Sequence, residues 1–259
     1  MSKEKVVHLY EEKYNNQGCL MKIVEYNSHD DMVVEFQDKY GYKTHAQYCN
    51  FKTGSIKNPY HNSVYGVGMI GIKYLTCVNG QQTKEYRTWL QMLRRCFSQK
   101  EKKRLAYYQE AICCEEWLLY ENFYEWLHSQ DNFDKWYGGE RWAVDKDIII
   151  KNNKLYSPAT CCLVPQNINC LLLKRDALRG DLPLGVRRNG NKFQAVCGNP
   201  FTGKQERLGT YEIPEEAFYV YKSRRENYIK QIAEIEYKSG NITKRCCDAL
   251  MSYVIEIDD

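Results

Sequence analysis

The sequence predicts an α+β protein, and three observations carry that prediction. Short alternating stretches bounded by Gly, Asn and Asp recur near both ends of the chain, as antiparallel strands do. The middle instead repeats apolar residues at helical spacing. Towards the C-terminus, Asn189-Gly190 is a strong short hairpin signal, and a helix start follows at Pro214-Glu215-Glu216. With 259 residues the chain can build one to three small domains with real cores. Its 43% hydrophobic and 27% charged residues are globular in balance.

Residues 1–62 read as a small β-rich module. Gly18–Tyr26 and Met32–Phe36 are strands joined by the turn Asn27-Ser28-His29-Asp30-Asp31, and shorter extended pieces are expected at Lys43–Tyr48 and Ser55–Ile56. Close spacing of short strands suggests an SH3-like barrel or curled sheet. Residues 63–82, within the Gly-, Pro- and Asn-rich stretch Asn58–Gly80, read as a connector. Its Tyr65–Gly71 stretch lacks the lysine and the strand–helix setting of a phosphate loop.

Residues 83–175 form the central unit. Tyr86, Trp89, Leu90, Leu93 and Phe97 share a helix face from about Thr83 to Phe97, and Trp117, Tyr120, Phe123, Tyr124 and Leu127 share another from about Glu115 to His128. Both aromatic stripes read as core. Next come a strand ending at Asp145, an Asn-rich turn, a second strand, and a helix expected from about Ala159 to Leu173. Ser157 would cap that helix and Pro158 would open it. Lys174–Asp181 reads as a charged linker. Residues 182–238 then give three strands and a helix, and residues 239–259 a tail in which Lys244–Asp259 reads as a short helix or strand ending in Glu256-Ile257-Asp258-Asp259.

The net charge of +4 permits nucleic-acid binding without demanding it. The 37 Lys and Arg set among 22 Tyr, 8 Phe and 5 Trp suit phosphate contact and base stacking. No apolar run is long enough for a transmembrane helix, and the charged start is not a signal peptide. The 12 cysteines then imply reduced thiols in a cytoplasm. Several are adjacent pairs, which lack zinc-knuckle spacing, so structural zinc is not expected. Cys96, Cys114 and Cys162 are the alternative set that would have to converge for zinc.

At Val144-Asp145-Lys146-Asp147, Lys151–Lys154 and Asn167-Ile168-Asn169 the chain resembles the ββα-metal (HNH) nucleases. At Gly185-Val186, Lys192–Ala195, Leu208–Tyr211 and Glu215-Glu216-Ala217 it resembles the AP2/integrase DNA-binding domain. Together, with the front module, these resemble phage HNH homing endonucleases carrying a C-terminal AP2 domain. The resemblance implies a metal-binding Asp145, a loop asparagine at Asn152 or Asn153, and a helix ligand at Asn167, with Asn169 the second choice. Mg²⁺ or Mn²⁺ would be the cofactor and double-stranded DNA the partner, in the cytoplasm of a prokaryotic host.

The family's general-base histidine is replaced by Lys146. A lysine titrating at about 10.4 is protonated at neutral pH and cannot take a proton from water unless strongly desolvated. Lys146 would instead offer a fixed charge to phosphate, and His128 is a substitute base. The outward face of the AP2-like sheet would supply Arg187, Arg188, Lys192, Gln194, Lys204 and Arg207 to DNA. Two functions follow: a metal-dependent DNA endonuclease or nickase, or a catalytically silent scaffold. The scaffold would act as a DNA-binding regulator, or inhibit a host defence nuclease through protein or nucleoprotein contacts.

Overall fold

A computed structural model describes residues 7–104, 108–139, 141–172 and 181–259. The fold is α+β, with helices and several small antiparallel sheets. The chain forms two compact units, residues 1–125 and 126–259, and the boundary falls inside the segment 83–175. The linker expected at Lys174–Asp181 lies, but for Asp181, outside the described residues, as does the charged N-terminal start. No helix among the described residues is long and apolar enough to cross a membrane.

The first unit opens with a four-stranded antiparallel sheet of β1 (Glu12–Tyr14), β2 (Leu20–Ser28), β3 (Asp31–Phe36) and β4 (Lys43–Ala46), in that order. The pairs Met21–Phe36 and Ile23–Val34 put alternate apolar side chains on one face. There they bury against Phe51 of helix α1 (Tyr48–Thr53). Of the two extended pieces expected from sequence, Lys43–Tyr48 is shortened to β4 by the start of this helix, and Ser55–Ile56 forms no strand. Gly54 ends α1 at φ 71°, the left-handed cap that glycine takes without penalty. Asn15 ties the module's ends together. Its Oδ1 accepts from the amides of Gln17 and Cys19, and its buried Nδ2 donates to the Ile56 carbonyl at 2.8 Å.

The connector includes a small hairpin, β5 (Cys77–Val78) and β6 (Gln81–Gln82). Asn79 and Gly80 turn it, both with positive φ, as a type I′ turn requires. Helix α2 (Lys84–Phe97) follows, with the Thr83 hydroxyl accepting from the Tyr86 amide. Its buried face carries Tyr86, Trp89, Met92, Leu93 and Cys96. A short helix α3 (Gln99–Arg104) and a two-residue strand β7 (Ile112–Cys113) come next. The second expected helix divides into a 3₁₀ turn, Glu115–Leu118, and α4 (Tyr120–His128). Trp89 donates its indole N–H to the Trp117 carbonyl at 2.7 Å, joining α2 to that turn. Two connector glycines, Gly68 and Gly71, are packing residues. A Cβ at Gly68 would sit 2.6 Å from Leu93, and one at Gly71 2.3 Å from the Glu121 carboxylate, which accepts from the amides of Ile72 and Lys73.

In the second unit, α5 (Phe133–Gly138) precedes β8 (Trp142–Asp145), β9 (Leu155–Tyr156), β10 (Cys162–Pro165) and α6 (Gln166–Leu171). The helix expected over 159–173 is therefore shorter and starts later. Ser157–Thr160 forms a turn, with the amides of Thr160 and Cys161 on the Ser157 carbonyl. The reason is Pro165. Inside a helix it would remove an N–H and clash with the preceding turn, whereas it can end a strand and start a helix. The partner of β8 is thus β10, with Asp145 opposite Cys162 and Trp142 opposite Pro165.

The sheet β11 (Val186–Asn189), β12 (Lys192–Gly198) and β13 (Gln205–Tyr211) is antiparallel in chain order. Its first turn is Gly190-Asn191, one residue later than an Asn-Gly turn, with Gly190 at φ 62° in the first central position. Helix α7 (Pro214–Lys238) covers one face of this sheet, and α8 (Lys244–Met251) packs on α7. Ile148, Cys162, Val164 and Ile168 of the ββα segment share one core with Val186, Ala195, Phe218, Ile229 and Leu250. Asn132 pins that core from the side, donating to the carbonyls of Leu163 and Asn241.

Candidate functional site

Two places in the second unit hold the residues that the sequence singles out. The first is the turn after β8. Asp145 is nearly buried, and its Oδ1 accepts from the amides of Asp147 at 2.7 Å and Ile148 at 2.9 Å, closing a local turn. Lys146 is buried, not projected towards solvent. Its Nζ donates to Asp147 Oδ1 at 2.6 Å and to the Asn153 carbonyl at 2.8 Å, and it lies 5.8 Å from the Tyr156 ring centroid.

Asn153 clasps the other side of the loop. Its Nδ2 donates to the carbonyls of Lys146 and Leu155, and its Oδ1 accepts from the Leu155 amide. Asn152 stands beside it at φ 61°, a left-handed conformation that asparagine tolerates. Three of the four residues after Val144 thus hold the loop shut. Asn167, on α6, donates to Glu236 Oε1 of α7 at 2.9 Å. His128 packs its ring on Phe133, centroids 3.9 Å apart.

A hard divalent cation needs several oxygen ligands converging on one point. Asp145 already spends Oδ1 on two amides, and the Asn167 carboxamide is tied to α7. Among the described residues no three His, Cys, Asp or Glu side chains assemble into a metal-holding group.

Asp147 is a titratable group that sequence reasoning did not single out. Burial pushes its carboxyl up from the ordinary 3.8 to about 6, against the lowering pull of Lys154 and, in the same direction, of the Lys146 ammonium 2.6 Å from its Oδ1. The folded chain therefore keeps a proton there that the unfolded chain has already released, and stability falls as pH rises from about 3.8 to about 6. Asp147→Asn removes that slope. In urea denaturation across this window the variant should gain on the wild type by on the order of 2 kcal/mol. A difference independent of pH would contradict the assignment.

The second place is the face of the β11–β13 sheet turned away from α7. Cross-strand partners share a face, so the pairs Arg187–Gln194–Thr210, Asn189–Lys192, Val196–Arg207 and Gly198–Gln205 form its outer surface. Arg187 donates from Nε and Nη2 to Gln194 Oε1, at 2.9 and 2.7 Å, and from Nη1 to Gln205 at 3.4 Å. Its guanidinium plane is held in place while its outer N–H groups remain. Lys192 pairs with Glu212, and Arg207 makes no hydrogen bond or ion pair among the described residues.

Two of the six basic or amide residues singled out for DNA stand elsewhere. Arg188 lies opposite Phe193 and on its face, with the guanidinium 5.4 Å from the ring centroid, so it borders the core side. Lys204 sits in the turn before β13. Sequence reasoning missed Asn189, Gln205 and Thr210. A strand-by-strand register would have found them, had the irregularity between Ala195 and Val196, which shifts β13, been readable.

No family model, curated protein or solved structure matches the chain.

Proposed function

We propose that the protein binds double-stranded DNA through the outer face of the β11–β13 sheet, with the ββα segment serving as its scaffold. The observation that carries this reading is the pre-set Arg187 fork beside Lys192 and Arg207, flanked by the amides of Gln194, Gln205 and Asn189. Guanidinium and ammonium groups neutralise phosphates, and a fixed guanidinium or carboxamide can read base edges in the major groove. A sheet of this size, with polar side chains on one face and a helix on the other, fits a groove as a unit.

The test is fluorescence anisotropy of a labelled duplex over a salt series. Affinity should fall steeply with salt, the logarithmic slope losing about 0.9 for each phosphate contact removed. Arg187→Ala and Arg207→Ala are each expected to weaken binding about tenfold and to flatten that slope, with folding intact. Wild-type-like binding by the double variant would overturn the reading.

The second reading is a slow, divalent-metal-dependent DNA endonuclease. It is favoured by the position of Asp145 at the end of β8 and by the Asn153 clasp across the following loop, the layout expected of a ββα-metal unit. It would need Mg²⁺ or Mn²⁺ at Asp145 and Asn167, and a base other than Lys146. The buried Lys146 ammonium, engaged by Asp147 and the Asn153 carbonyl, ranks this reading second.

A further inference from the structure

The first unit contains a cavity of about 570 Å³ that the DNA reading does not use. Tyr40 and Tyr60 stack at one side, centroids 4.3 Å apart and 13° from parallel. Half-buried Met69, Leu118 and Leu119 line the aliphatic part. Glu115 and Glu116 stand exposed at its edge, at the start of the 3₁₀ turn.

Asp38 and Asn122, two other polar groups lining the cavity, are already engaged. Asp38 Oδ1 accepts from the amides of Tyr40 and Gly41, and its Oδ2 accepts from Asn58. Asn122 donates to the Glu116 carbonyl, which fixes the turn that carries both glutamates. Among the described residues no hydrogen bond or ion pair engages the Glu115 or Glu116 carboxylate. The two exposed carboxylates give this edge of the cavity, beside the stacked rings, a negative charge that suits a cation.

The aromatic pair already attracts one. Lys39 extends over Tyr40, with Nζ 5.1 Å from the ring centroid. Nucleic acid does not fit, because its phosphates would face Glu115 and Glu116. A long cationic side chain fits on three counts. Its stem would lie on Met69 and Leu118, its planar head would stack on Tyr60, and a carboxylate would take two of its N–H groups.

We propose that this cavity docks an arginine side chain from a partner protein. Arginine suits the site better than lysine, because only a guanidinium both stacks on a ring and pairs side by side with a carboxylate. The proposal is independent of DNA binding by the second unit.

The test is an NMR titration of the full chain with acetyl-Gly-Leu-Arg-Leu-Gly-amide, run beside the same peptide carrying citrulline. Citrulline keeps the shape and removes the charge. Saturable shifts gathered at Tyr40, Tyr60 and the 115–122 segment are expected with the arginine peptide. Affinity should drop about tenfold or more with citrulline, and likewise with the Glu115→Gln/Glu116→Gln variant. Both glutamates are exposed, so that variant should fold normally. Absence of saturable shifts, equal binding of the citrulline peptide, or an unaffected double variant would each overturn the proposal. So would shifts of these same residues on addition of a DNA duplex in place of the peptide.

Discussion

Lys146→Ala is expected to destabilise the second unit by about 3–5 kcal/mol, although the residue carries a charge and follows a strand end. The side chain is only 3% exposed, and its ammonium makes two hydrogen bonds, to Asp147 and to the Asn153 carbonyl. Truncation strands a largely buried carboxylate and a carbonyl, and leaves a void beneath Tyr156. The cost should come mainly from the abandoned partner. The double variant Lys146→Met/Asp147→Asn, which removes both charges and refills the volume, should recover most of the loss. Urea denaturation of the two variants checks this. A Lys146→Ala protein as stable as wild type would mean that the lysine is solvated in solution and free to reach phosphate.

Trp89→Ala should cost the first unit a comparable about 3–5 kcal/mol, for a different reason. The side chain is fully buried, lies 5.4 Å from the Tyr120 ring centroid, and its indole N–H satisfies the Trp117 carbonyl. Alanine opens a cavity and leaves that carbonyl unpaired. Trp89→Phe refills most of the volume but not the hydrogen bond. It should therefore lose about 1–2 kcal/mol, and the gap between the variants separates packing from hydrogen bonding. Equal losses in both would assign the whole effect to the hydrogen bond.

Local signals were legible in the sequence where neighbours in the chain decide the outcome. Tyr86, Trp89 and Leu93 at helical spacing behind Thr83 specify α2, and Pro214-Glu215-Glu216 announces α7. The β11–β12 hairpin follows from Gly190 between two alternating stretches. The segment 157–171 misled because Ser157-Pro158 has the composition of a helix start. Pro165, which divides strand from helix there, carried the opposing signal. The hairpin at Asn79-Gly80 had an equally plain signal within a stretch that reads as connector.

The candidate site was less legible, because burial rather than residue type decides its chemistry. A lysine after a strand-end aspartate reads as a charge offered to phosphate. Only the fold shows that Lys146 turns inward to Asp147 and Asn153. The loop asparagine was narrowed to two neighbours, and hydrogen bonding distinguishes the clasp, Asn153, from the left-handed Asn152. On the sheet, alternation identifies an outer face, but the shift between Ala195 and Val196 decides which β13 residues join Arg187 on it.

The most direct test of a DNA-binding scaffold is incubation of the purified protein with supercoiled DNA and Mg²⁺ or Mn²⁺, beside Asp145→Ala. Retarded, uncut DNA is expected with both proteins, released together as salt rises. Metal-dependent nicking by the wild type that disappears in Asp145→Ala would contradict the scaffold reading, and would make the turn after β8 an active site.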